Sequence, residues 1–414
     1  MLPLGSFLLP TLLAAPYAFA QASNDTGSTK VAAAWLAGWH TNSTPAFSLD
    51  DLSWDKYTKL TYSFAETTPD GGLDMSGSNG TLLPDFVARA KENGVTPAIS
   101  IGGWTGSRFF SSAVATPENR TAFVKTVLDF AMEYELEAID IDWEAPNNQG
   151  LGCNTINVND TANLLAFLQE LRADEFGATL EVSAATGISP FMDADGEPSA
   201  NMSAFADVFD YVAIMNYDVW GSWSSAVGPN APLNDSCAAP ENQQGSAVSA
   251  VQAWTAAGMP LDKIVLGVPS YGHSFAVNKT SAFNGTDQLT LYPAFNASAF
   301  PAGDVWDDQP GVDACGANTT QGGVINYWGL VEQGYLGCDG QPADGVPYVF
   351  DECSMTAFVY NTTTEVMISY DSEETFSAKG AFIKDMGLRG FAMWEAGGDY
   401  EDILLDAIRE SAGF

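Results

Sequence analysis

The sequence predicts an eight-stranded parallel (β/α)8 barrel of the TIM type, with an α+β insertion between its seventh and eighth strands. Three observations lead there. Short apolar runs alternate with amphipathic stretches along most of the chain. The 414 residues are 46% hydrophobic and 12% aromatic, enough for one large core. About a hundred residues separate the last two strand-like runs of that alternation, far more than an ordinary barrel loop. A doubly wound open sheet would also alternate strands and helices. No Gly-rich phosphate loop follows the first apolar run, which counts against its nucleotide-binding versions.

Taken in order, the apolar run 31–38 is the first strand and 59–64 the second. Asp85 to Asn93 reads as a helix ended near Gly94, and 96–101 as the third strand. Thr116-Pro117-Glu118 starts a helix, with Thr as N-cap and Pro in the first turn. It runs to about Tyr134. The fourth strand, 136–144, carries alternating acids. Asp160 to Ala173 is helical, with Leu164, Leu165, Leu168 and Leu171 on one face. Strands five, six and seven are 179–184, 211–216 and 264–268, with a helix at 246–257 stopped by Gly258. The eighth strand is 390–394, followed by a helix from about Tyr400 to Arg409. The division that follows is a leader at 1–20, a barrel made of 21–271 and 380–414, and an insertion at 272–379. The insertion holds strand-like runs at 357–360 and 366–370 and a returning helix at 373–384.

Charge narrows the partners. Lys and Arg number 15 against 52 Asp and Glu, a formal charge of −37. Such a surface repels phosphate backbones and anionic lipid, so neither nucleic acid nor membrane is an expected partner. The stretch Met1 to Ala20 is apolar and ends in Ala18-Phe19-Ala20, the pattern of a secretory signal peptide cut before Gln21. A short buried helix is the bland alternative. No other run is long and apolar enough to span a bilayer. About a dozen Asn-x-Ser/Thr sequons, including Asn42, Asn79, Asn119, Asn201, Asn278, Asn296 and Asn361, fit a glycosylated extracellular protein. The cysteines are Cys153, Cys237, Cys315, Cys338 and Cys353. Their spacing matches no zinc pattern, and the chain has only 2 His, so neither a metal nor another cofactor is expected. The expected pairing is Cys153 with Cys237 and Cys315 with Cys353, leaving Cys338 free.

Chemistry concentrates on the fourth strand. In Ile139-Asp140-Ile141-Asp142-Trp143-Glu144 the period of two puts Asp140, Asp142 and Glu144 on one face. Three stacked carboxylates repel one another and resist burial. A solvated edge strand would tolerate them. A proton-transfer site would use them, because crowding raises carboxyl pKa values and keeps one acid protonated near neutrality.

This segment resembles the catalytic strand of family 18 glycoside hydrolases, the chitinases, whose pattern is Asp-Gly-x-Asp-x-Asp-x-Glu. Glu137 and Ala138 depart from it, and Glu137 is read as a support residue. Three further motifs carry the resemblance, in the family's order. Ser100-Ile101-Gly102-Gly103-Trp104 closes the third strand and is similar to the Ser-x-Gly-Gly motif, with Ser100 supporting the acids and Trp104 an acceptor-side sugar platform. Met215-Asn216-Tyr217-Asp218 matches Met-x-Tyr-Asp, with Tyr217 facing the substrate acetamido oxygen and Asp218 holding the sugar. Trp394 ends the last strand as the floor beneath the donor-side sugar. Trp39, Trp220, Trp223 and Tyr271 are further platform candidates. His273 and Ala145 stand where the family often has Arg and Tyr.

The resemblance implies retaining hydrolysis of β-1,4-linked N-acetylglucosamine polymers by substrate assistance, an exception to the scheme of two opposed carboxylates. Glu144 is the general acid and base, with Asp142, Asp140 and Tyr217 as its catalytic partners. Met215, Gly103, Ser100, Trp104, Trp223, Tyr271, Asp218 and Trp394 form the binding set. Chitin or chitooligosaccharides are the implied partners of a secreted monomer. An endo-β-N-acetylglucosaminidase on N-glycans and a non-catalytic chitin-binding lectin are the alternatives.

Overall fold

The computed structural model describes residues 30–285 and 287–414. The leader lies outside them. Eight parallel strands form the barrel: β1 Val31–Ala37, β2 Lys59–Thr67, β3 Thr96–Gly102, β4 Ala138–Asp142, β5 Glu181–Thr186, β6 Tyr211–Ile214 and β7 Ile264–Pro269, closed by a later strand, Gly390–Trp394. Between β7 and that strand the chain adds β8 Tyr271–Ala276, β9 Gly311–Val312, β10 Asn318–Thr319, β11 Val324–Asn326, β12 Tyr348–Asp351, β13 Thr356–Asn361 and β14 Val366–Tyr370, so the closing strand is β15. The barrel order is β1-β15-β7-β6-β5-β4-β3-β2, and β2 pairs back with β1. The predicted barrel is the observed one.

Burial explains why the strands read as near-continuous apolar runs. Every residue of β1, β4, β6 and β7 is buried, because helices cover the outside and side chains fill the inside. The main helices are α1 Leu83–Glu92, α2 Pro117–Glu133, α3 Asp160–Ala173, α4 Ala247–Ala256, α5 Glu373–Met386 and α6 Ile403–Ala412. Their starts follow capping chemistry: the Thr116 side chain accepts from Asn119 N, and Ser246 and Ser372 each complete a capping box. The fourth-strand boundary differs from expectation. Trp143 and Glu144 lie beyond the last β4 residue, with Trp143 stacked on Phe110 at 5.1 Å outside the barrel.

The segment after β7 builds a second, antiparallel sheet in the order β11-β8-β14-β13-β12. Only Ser270 separates β7 from β8, so this sheet grows directly out of the barrel rim. Helix α5 leads back, and its Lys379 forms a fully buried pair with Asp371.

The disulfides correct the expected pairing. Cys153 bonds Cys315, and Cys237 bonds Cys353, with Cys338 free and exposed. Cys153 and Cys237 sit in loops after β4 and β6, two places apart in the barrel order. Each instead meets a cysteine of the segment after β8, so both bridges join barrel loops to the second sheet's connections.

Gly102 ends β3 with φ +112°, and a Cβ there would sit 2.1 Å from the Asp142 carbonyl oxygen. Gly102→Ala is therefore expected to destabilise the fold by at least ~2 kcal/mol, read as a lower urea midpoint at unchanged slope.

Candidate active site

The site is a consequence of register. Ser100 of β3, Asp140 of β4 and Ser183 of β5 are lateral neighbours in the sheet. Their side chains share the barrel interior, and both hydroxyls donate to the carboxylate: Ser183 Oγ to Oδ1 at 2.6 Å, Ser100 Oγ to Oδ2 at 3.0 Å. Trp35 of β1 adds its Nε1–H to Oδ2 at 3.0 Å. Behind Ser183 stands the buried Lys59 ammonium, donating to Ser183 Oγ at 3.0 Å and 3.1 Å from Glu181 Oε1. Asp140 is thus a buried carboxyl held by three neutral donors, with a cation one hydroxyl away.

Two residues up the strand, Asp142 is 5% exposed, and its Oδ1 has no hydrogen-bond partner in the protein. Burial first, then the neighbouring Glu144 and Asp140 charges, raise its pKa well above the ordinary carboxyl value. Glu144 follows at the barrel mouth. Burial, and secondarily the Asp218 charge, push it up to about 7. Its backbone is fixed from two sides. Its N–H donates to Ser107 Oγ at 2.9 Å, and its carbonyl accepts from Asn154 Nδ2 at 3.0 Å. Ser107 Oγ in turn donates to the Asp142 carbonyl at 3.0 Å.

Across the mouth, Tyr217 is raised well above 10 by burial and then by Asp142, Asp218 and Glu144, so its phenol stays a proton donor. Asp218 has φ 55° and accepts from Tyr271 Oη at 2.8 Å, with His273 Nε2 at 2.7 Å from the same oxygen. Tyr271 and His273 both belong to β8.

These groups border a cleft of about 700 Å³, lined by Glu144, Asp218, Tyr271, His273 and the rings of Trp39, Trp104, Trp223, Trp306 and Trp394. A smaller recess of about 300 Å³ joins Glu144 to Tyr217, Asp218 and Met215. A third, of about 320 Å³, runs from Glu144 and Trp104 along residues 145–150. Trp104 and Trp223 are 53% and 63% exposed, flat rings offered to solvent on either side of Glu144. Trp394 is braced by Phe64, Trp35 and Trp39 at 5.4, 6.2 and 6.3 Å. No Lys or Arg among the described residues lines the cleft. Among the described residues no cluster of His, Cys, Asp and Glu is arranged to hold a metal ion.

The structure brings together Glu144, Asp142, Asp140, Tyr217, Asp218, Met215, Ser100, Trp104, Trp223, Tyr271 and Trp394. Gly103 sits behind them, where its φ of +78° and the Phe64 ring 2.9 Å from a notional Cβ require glycine. Two expectations fail. Trp220 is 1% exposed and packs in the second sheet's territory against Tyr292, not in the cleft. Glu137 is exposed at the opening end of β4, far from the acidic face it was expected to support. Four contributors were missed. Trp35 lies in a run apolar at every position, so no alternation marks its face. Ser107 and Asn154 act through loop backbone. Trp306 belongs to the segment between β8 and β9 and stacks on His40 at 3.8 Å, at the end of the cleft near Trp39. Burial depresses His40 to about 4, while burial raises the facing Glu395 to about 8. Their 3.3 Å contact near pH 6 therefore joins two neutral groups rather than an ion pair.

The sequence pattern of glycosyl hydrolases family 18 matches residues 32–399. A "chitinase-like effector" of Moniliophthora roreri is 53% identical over 409 residues, covering 98% of this chain and 99% of that protein. A protein of the same name from Moniliophthora perniciosa is also 53% identical, over 92% and 87% of the two chains. Among solved structures, a chitinase from Rhizomucor miehei superposes with a TM-score of 0.81 at 31% identity, covering 92% of this chain and 99% of that one.

Because the Asp218 charge raises Glu144, Asp218→Asn should lower the Glu144 midpoint from about 7 while burial keeps it above the ordinary 4.5. Carboxyl 13C NMR of Glu-labelled protein reads this directly. An unmoved midpoint would show that the two groups do not sense each other.

Proposed function

The chain belongs to glycosyl hydrolases family 18, and from that premise we propose that it is a secreted chitinase cutting β-1,4-linked N-acetylglucosamine chains with retention. The observation that carries this reading is the open recess joining the Glu144 carboxyl to Tyr217, with the unpartnered Asp142 Oδ1 beneath it. A general acid must be protonated at working pH, and a Glu raised to about 7 is mostly protonated at pH 6, where an ordinary Glu is ionised.

In this reading the sugar over Trp394 supplies the nucleophile. Glu144 protonates the glycosidic oxygen while the 2-acetamido oxygen attacks the anomeric carbon, breaking the C–O bond and forming an oxazolinium ion. Asp142 accepts the acetamido N–H and offsets the charge that develops there. The Asp140 charge, below on the same face, acts on Asp142 and so adjusts the charge beside Glu144. Tyr217 donates to the acetamido oxygen. Glu144, now the base, takes a proton from water, which opens the ion on the face the leaving group left. Trp104 and Trp223 stack acceptor sugars, and Asp218 holds a hydroxyl at the cut. In this division, residues 272–379 form an insertion domain that walls the cleft. The disulfides and the apolar leader support secretion, and the sequons support glycosylation.

A second reading is chitin binding without turnover, favoured by the name "chitinase-like effector" borne by both Moniliophthora proteins. Glu144 with its raised pKa favours catalysis. A chromogenic chitobioside separates the two.

Glu144→Gln should lower turnover by at least ~100-fold yet retain oligomer binding by calorimetry; near-normal rates would remove Glu144 from its role. Fully deacetylated hexamer should stay uncut by the wild type, since glucosamine has no acetamido oxygen. Ready cleavage, followed by mass spectrometry of products, would reject substrate assistance.

A further inference from the structure

We propose that residues 308–322 form a covalently closed strap over the cleft, so that a polysaccharide enters by a chain end instead of settling in sideways. The proposal rests on the carbohydrate reading above and adds to it how the polymer gains access.

Both roots of the strap are cleft lining: Asp307, Asp308 and Gly322. They are firmly set. The Asp307 carboxylate accepts from Gly303, Gly323 and Val324 N–H groups at 2.9 to 3.0 Å, and Gly322 N donates to the Asp308 carbonyl at 3.0 Å. Trp306, next to the roots, stacks on His40 and donates from Nε1 to the Pro45 carbonyl at 2.9 Å. From there the chain runs out as the β9–β10 hairpin. Its turn is closed by the Asp313 carboxylate, which accepts from Cys315 and Ala317 N–H groups.

The tip is bonded to the other wall. Cys315 joins Cys153, with Cα atoms 5.4 Å apart. Two residues on, Thr155 anchors this loop through N and Oγ1 to the Arg108 carbonyl at 3.0 and 2.9 Å. Arg108 follows β3 and Trp104. Earlier residues of the same loop, 145–150, line the recess beside Trp104. The roots thus belong to the segment that leaves the barrel after β7, and the tip is held above β3. The contacts of Trp306 set the roots beside the loop after β1, and the tip is bonded to the loop after β4, three places away among eight in the closed order.

Length and exposure agree with a crossing. Seven residues from Asp308 to Cys315 reach ~23 Å at ~3.3 Å per extended residue, comparable with the breadth of an eight-stranded barrel. Residues 308–312 and 316–320 are all exposed, and Val312 is 66% exposed. A hairpin laid along the rim over the loops after β2 and β3 would bury one of its faces. This one touches the body at its roots and its tip, which is the form of an arch. With both ends fixed, one by hydrogen bonds and one by a disulfide, a bulky end group cannot pass beneath it.

The test uses full-length protein carrying Glu144→Gln, to stop cleavage, with and without Cys153→Ser plus Cys315→Ser. The probes are a free-ended N-acetylglucosamine hexamer and the same hexamer carrying a bulky protein at each end. With the bridge intact, association of the blocked probe should be at least ~10-fold slower than that of the free one, and the serine variants should bring the two within ~2-fold. Equal association of both probes with the bridged protein overturns the strap and leaves the carbohydrate reading standing. Failure of the free hexamer to bind either protein overturns both. Should the serine variants not fold, the comparison of the two probes on the bridged protein decides alone.

Discussion

The molecule is organised around a stack of carboxyls that only a barrel interior can hold. Asp140 is buried among three neutral donors and one hydroxyl away from Lys59. That network satisfies its oxygens and leaves Asp142, the next acid on the same face, with an open oxygen. Burial of an unpaired carboxyl is costly, and protonation relieves the cost. The raised pKa of Asp142 is this cost made visible, and that of Glu144 its extension to the barrel mouth, where Asp218 adds a further charge. Every other element of the site follows from holding this stack in place. The β3, β4 and β5 register sets the partners of Asp140, and Ser107 and Asn154 fix the backbone around Glu144.

Much of this was legible in the chain because the acids break a rule. Alternating apolar and acidic residues on a buried strand have no packing purpose, so Asp140, Asp142 and Glu144 announce themselves. Gly102-Gly103 and Tyr217-Asp218 were legible through their likeness to the family's motifs, and each has a backbone that ordinary residues avoid, with φ of +112° and +78° at the glycines and 55° at Asp218. The barrel was legible because its strands are apolar on both faces and its helices on one.

What the chain concealed has equally physical causes. Trp35 is one apolar residue in a run buried throughout, and only the closed barrel reveals which face meets Asp140. Trp220 reads like Trp223, yet one packs beneath Gly228 and the other stands in solvent, a difference set by tertiary packing. Disulfide partners depend on where long loops travel. Cys315 and Cys353 lie in connections of the second sheet, whose path no local pattern encodes, so the pairing with Cys153 and Cys237 emerged only from the fold.

Strand β8 leaves the barrel after a single residue and immediately delivers Tyr271 and His273 to Asp218. The second sheet is therefore no detachable appendage. An engineer who transplants it between scaffolds, joining at the end of β7, exchanges two side chains of the cleft along with the wall. A splice made after Ala276 leaves those two behind, but it parts a strand from the partners on both its edges, β11 and β14. Recombination within such folds is thereby restricted to partners that agree on both the cleft and the sheet, and wall and cleft lining are inherited together.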